Sequence, residues 1–157
     1  MIGPASVSRT ATGSITISKA ISTARLRILN FGQFKNVGGK CVASTITLDP
    51  QTGVRRATGN AVLVKGADEP GSYAITGAAN SIYGVSFPAS APSSPHSLTV
   101  SAFRFYSQTG NGTMTGRIGP GGSDTPRVGA TLTVPCDFDT HNIDEVVPSF
   151  TLTVTYQ

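Results

Sequence analysis

The last ten residues, PSFTLTVTYQ, constrain the chain more than any other stretch. Phe150, Leu152, Val154 and Tyr156 alternate with Ser149, Thr151, Thr153 and Thr155. That period of two predicts a strand with one apolar and one wet face over 148–157. An apolar strand at a chain end must find partners on both edges, because an open edge recruits other chains.

The N-terminus has a matching pattern. From Ala5 to Ile17 the odd positions are Ala5, Val7, Arg9, Ala11, Gly13, Ile15 and Ile17, and every even position from Ser6 to Ser18 is Ser or Thr. Such a segment is far longer than the usual strand of about 5–6 residues. Either Gly13 divides it into two strands of one domain, or its first part pairs elsewhere. We divide the chain into an extension, 1–13, and one domain, 14–157.

Between these ends the chain reads as short strands and turns. Charged residues are only 13% of the 157, and 18 Gly and 10 Pro punctuate the apolar runs, which predicts an all-β antiparallel sandwich. One core is the economical solution at this length. In ARLRILNFGQF, Leu26, Ile28 and Phe31 are expected to point inward. Strands are expected at 42–48, 54–57, 61–64, 73–75, 82–87, 98–106, 113–118 and 129–134. Gly110-Asn111-Gly112 is a hairpin signal between the strands at 98–106 and 113–118. The Pro/Ser stretch 88–95 is expected to be surface loop.

Chemistry-bearing motifs are sparse. CDFDTHNIDE brings Asp137, Asp139, His141, Asp144 and Glu145 together. Asp137, Asp139 and His141 are weak metal candidates, without the glycine and spacing of a calcium loop. His96 lies in a loop with no nucleophile elbow, and GPGGS lacks the lysine and helix of a phosphate loop. Asn111-Gly112-Thr113 matches a glycosylation acceptor but is also turn chemistry. The expectation is no enzyme, no cofactor and no metal.

Residues 1–65 carry nine Lys/Arg and one acid, and residues 66–157 carry three Lys/Arg and seven acids. The bases are scattered, with few aromatics between them, so nucleic acid is not an expected partner. Opposite halves could instead orient successive copies of the chain. No apolar run approaches the length of a membrane span. No signal-like segment opens the chain, which fits a mature exported protein or a cytosolic one. Cys41 and Cys136 belong to no metal cluster. In an exported protein the pair reads as a disulfide, stabilising by roughly 4–5 kcal/mol in the chain-entropy model. Otherwise both are small buried hydrophobes.

The ordered segments LNFGQF, RRATGNAVLVKG, YAITGAANSIYGVSFPAS, VGATLTVP and FTLTVTYQ resemble a bacterial family of exported pilin-like domains known as a domain of unknown function. The terminal alternation is also similar to major subunits of archaic and common chaperone-usher pili. That resemblance implies an incomplete immunoglobulin-like sandwich, completed by a strand from the next copy. It implies a donor strand presenting Val7, Ala11, Gly13, Ile15 and Ile17, and an acceptor groove lined by Phe150, Leu152, Val154 and Tyr156. It further implies a periplasmic chaperone, an outer-membrane usher and an extracellular filament serving adhesion or biofilm formation. From the residues alone, complementary alternating ends are two halves of a β-augmentation. A head-to-tail contact of that kind propagates as a filament. The rival expectation is a monomeric secreted binding module, for carbohydrate or another surface ligand, that completes its own sheet. A virion or cytosolic decoration protein is a third.

Overall fold

The computed structural model describes residues 19–37, 42–110, 113–136, 138 and 145–157. Every regular element among them is a strand, as the Ser/Thr-rich alternations and Gly/Pro punctuation dictate. No helix among the described residues is long and apolar enough to cross a membrane. The strands are β1 (Ser22–Arg27), β2 (Gln33–Asn36), β3 (Ser44–Leu48), β4 (Arg55–Thr58), β5 (Ala61–Val64), β6 (Gly71–Thr76) and β7 (Ile82–Ser86). They continue with β8 (Ser90–Ser94), β9 (Thr99–Tyr106), β10 (Thr115–Arg117), β11 (Ser123–Asp124), β12 (Arg127–Val134), β13 (Val147–Pro148) and β14 (Thr153–Tyr156).

All ladders are antiparallel. The large sheet runs β1-β6-β12-β9-β8-β13, with β11 on β6 and the β3–β4 pair on the second half of β12. Facing it are a three-stranded sheet, β10-β7-β14, and the β2–β5 ribbon. The result is an all-β sandwich. The central strand β12 buries Val128, Ala130, Leu132 and Val134 on one face, as a period of two requires. Gly129 lies on the other face, where an added Cβ would strike the Leu48 carbonyl and sit 2.8 Å from Pro50.

Two clusters fill the interior. The larger joins Ile46, Leu48, Val100 and Leu132 of the large sheet to Phe31, Phe34 and Ala61 near the ribbon. The smaller gathers Ile75, Tyr83, Val85 and Ile118. Phe87 packs against both. It stacks on Phe103 at 5.2 Å between centroids, and Phe150 tilts against Phe103 at 4.7 Å. Aromatic pairs of this geometry contribute about 0.5–1.5 kcal/mol beyond area burial.

One buried cation ties the ribbon down. The Arg55 guanidinium donates to the carbonyls of Phe31, Gln33 and Val64 at 2.8–3.0 Å and pairs with Asp68 at 3.2 Å. Its side chain is 7% exposed. Gly32, at φ +71°, leaves room for that guanidinium, which approaches to 2.9 Å of where a Cβ would be.

Four expectations are corrected. Leu26 and Ile28 are exposed, at 56% and 45%, while Leu29 and Phe31 are buried. The register between β1 and β6 shifts between Arg25 and Arg27, and such an irregularity re-aims the side chains that follow. The terminal run is two strands: β13 pairs with β8 in the large sheet and β14 with β7 in the small one. The Pro/Ser stretch holds β8, with Ala91 and Ser93 buried. Strand β9 is not hairpin-paired with β10, since β9 joins β12 and β8 while β10 joins β7. The Thr109 hydroxyl bridges the two instead, accepting from the Arg117 amide and donating to its carbonyl.

Candidate strand-acceptor site

Two strands end the two facing sheets on the same side of the smaller cluster. Strand β14 pairs with β7 from Thr153↔Ser86 to Tyr156↔Tyr83. Strand β1 pairs with β6 from Ser22↔Thr76 to Arg27↔Ser72. Among the described residues neither has a partner on its other edge.

The side chains between these edges follow from register. Opposite Ile75 and Tyr73, which point into the sandwich, β1 places Thr23 and Arg25. Across the gap β14 presents Leu152, Val154 and Tyr156, with Ile21 nearby. The terminal alternation therefore holds, with apolar positions facing the core and threonines exposed. Yet Phe150, Leu152, Val154 and Tyr156 are only half-buried, unlike Tyr83, Ile75 and Ile118 at 0% exposure. Among the described residues, then, no strand lies over the apolar face of β14, which stays half-buried.

Polar groups fix one end of the seam and its floor. At that end, the Tyr156 hydroxyl accepts from the Ala78 amide at 2.7 Å and donates to the Lys19 carbonyl at 2.5 Å. Gly77 makes this possible, because a Cβ there would collide with the Tyr156 ring and Ile118. Beneath the seam, Tyr83 donates to Asp124 Oδ2 at 2.6 Å and meets Phe105 edge-on at 6.1 Å. Ser107 donates to the same oxygen at 2.7 Å. Burial first, and then the bond to the Asp124 carboxylate and its charge, push the Tyr83 phenol far above its ordinary range. The Tyr73 phenol is also raised by burial, opposed by the positive charge of Arg25. Neither tyrosine is a proton carrier near neutrality; both are pillars.

The expected donor positions Val7, Ala11, Gly13, Ile15 and Ile17 lie outside the described residues, as do Cys41 and the metal candidates Asp137, Asp139 and His141. Cys136 is half-buried in the turn after β12. Among the described residues no group of three or more His, Cys, Asp or Glu is placed to hold a metal ion. Ile21, Tyr83 and the Asp124 network escaped the sequence reading. The signal available was SIYGVSF, where Tyr83, Val85 and Phe87 alternate as strictly as the C-terminus does.

A family model described as Domain of unknown function (DUF4402) matches residues 15–156. The chain belongs to that family. No curated protein and no solved structure matches it. The match spans every strand of the DUF4402 domain from β1 to β14 and begins at Ile15, within the N-terminal alternation. Both seam-lining strands therefore belong to the DUF4402 unit. Among the described residues the outer edges of β1 and β14 carry no ladder, and the face between them is half-buried.

Proposed function

We propose that this DUF4402 domain is a non-enzymatic structural subunit of an extracellular bacterial filament that polymerises by donor-strand exchange and serves adhesion or biofilm formation. The carrying observation is that, among the described residues, β1 and β14 each lack a second partner and flank a half-buried apolar face. In this reading Val7, Ala11, Gly13, Ile15 and Ile17 of one copy fill the seam of the next, against Phe150, Leu152, Val154 and Tyr156. The periplasmic chaperone and outer-membrane usher come from the resemblance to chaperone-usher subunits. A Cys41–Cys136 disulfide belongs to the proposal, supported by the lack of a free cysteine among the described residues.

A second reading has its own support. The bond from Tyr156 to the Lys19 carbonyl brings the residue that follows the N-terminal segment to the end of the last strand, as a monomer completing its own sheet would need. One experiment separates the two. A chain starting at Lys19 is mixed with a peptide of residues 1–18, and the full chain is imaged by negative-stain electron microscopy. Fibres of the full chain, with peptide capture by the shortened one, support exchange. Monodisperse full chain at high concentration would sink it in favour of self-completion.

A further inference from the structure

In the strand-exchange reading five odd positions of the N-terminal segment, Val7, Ala11, Gly13, Ile15 and Ile17, enter the seam. Their span is longer than the face they would fill. Val7 to Ile17 is ten residue steps, about 33 Å of extended chain at ~3.3 Å per residue. Phe150 to Tyr156 is six steps, about 20 Å on the same rise. The four apolar positions of the last strand therefore face four inward positions of an incoming strand, not all of them.

Charge selects which four. Side chains alternate, so a segment that keeps its Ser and Thr outward can shift along β14 only two residues at a time. Within the alternation that begins at Ala5, the in-phase frames are 5–11, 7–13, 9–15, 11–17 and 13–19. Arg9 stands at an inward position of the first three, and Lys19 at an inward position of the last. Only 11–17 is free of charge, with Ala11, Gly13, Ile15 and Ile17 inward and Thr12, Ser14 and Thr16 outward.

The seam has no place for another cation. On β1, Arg25 stands opposite Tyr73, whose ring packs against the core, and Arg25 is in no ion pair among the described residues. Every acid among the described residues already has a partner. Asp68 pairs with Arg55 and Glu69 with Arg27. Asp124 accepts from Tyr83 and Ser107, Glu145 from Asn30, and Asp49 from the amides of its own turn. An arginine driven onto the half-buried face would lose water without gaining a carboxylate.

We propose that the inserted segment is residues 11–17, held in that single frame by Arg9 and Lys19, which stop it from sliding in either direction. Val7 then lies outside the contact. This rests on the strand-exchange reading and fixes which part of the N-terminus carries it out. Charges at inward positions block wrong pairings at sheet edges, and here the incoming strand carries them at both ends of its apolar block.

The test compares full-length chains by sedimented polymer and negative-stain microscopy, with circular dichroism on each to confirm the fold. Val7→Asp and a chain lacking residues 2–9 are expected to polymerise within about twofold of the parent. Ala11→Arg moves the stop onto the apolar face and is expected to cut polymer at least tenfold, as is Ile15→Asp. A tenfold loss in Val7→Asp or in the chain lacking 2–9 overturns the frame and leaves strand exchange standing, and so does an undiminished yield from Ala11→Arg. A parent chain that forms no polymer ends the strand-exchange reading, and the frame falls with it.

Discussion

The hydroxyl of Tyr156, the penultimate residue, donates to the carbonyl of Lys19 at 2.5 Å, so the last strand fixes where the first one begins. The same oxygen accepts the Ala78 amide. Tyr156→Phe keeps the ring but leaves that amide without its partner, which costs about 1–2 kcal/mol. Thermal unfolding should move down by roughly 3–6 °C for a chain of this size. An unchanged midpoint would show that the hydroxyl contributes nothing.

The Arg55 guanidinium serves three carbonyls and Asp68 from a nearly sealed position. Removing it orphans acceptors and a partly buried carboxylate. Arg55→Met is expected to lose roughly 3 kcal/mol in urea unfolding, and Arg55→Lys to recover only part, since an ammonium lacks the fork. Full recovery by lysine would mean that charge alone matters there.

One buried phenol, Tyr83, and one half-buried, Tyr73, set an alkaline limit. For Tyr83 and Tyr73 the folded state holds the proton more tightly than the unfolded one, whose phenols titrate near 10.0. Their stabilisation is complete below that pH and is lost as pH rises through the folded values. Stability followed by denaturant midpoints should thus fall above about pH 10, and less steeply in Tyr83→Phe. A slope identical in that variant would exclude Tyr83 as a source.

Gly129 makes a backbone contact that no side chain permits. Gly129→Ala drives a methyl group into the Leu48 carbonyl and Pro50, and β12 can yield only by opening its ladder to β3. A loss of roughly 2–3 kcal/mol is expected, read as poor soluble yield and a lowered melting temperature. A variant as stable as the parent would show that the turn after β3 moves aside freely.

The seam makes its own prediction. Val154→Asp places a charge on the half-buried face of β14 while sparing its ladder to β7. Capture of the 1–18 peptide should drop at least tenfold, with the shortened chain melting a few degrees lower but still folded by circular dichroism. Undiminished capture would mean that the peptide docks elsewhere.

The all-β class and most strand positions could be read directly from the sequence, because alternation and turn residues are local signals. Ala61–Val64 was delimited by its flanking turns and appears with the expected bounds. What could not be read was partnership. Nothing local in PSFTLTVTYQ shows that Pro148 belongs to one sheet and Val154 to another. Ser90–Ser94 looked like loop because two of its five residues are proline or alanine and three are serine, yet β9 and β13 recruit it from either side. Leu26 and Ile28 were misplaced because a register shift beside Arg25 depends on β6, not on β1's own composition. The apolar face of the last strand was visible as alternation; that it stays only half-buried was not.

The passage of residues 147–156 from one layer to the other has a mechanical meaning. A pull along this stretch loads the β13 ladder and the β14 ladder in series, with the Phe87, Phe103 and Phe150 rings clamped at the crossover. Peeling from the C-terminus therefore opens the β14–β7 ladder first, and the β13–β8 ladder is reached only once the aromatic clamp at the crossover has given way.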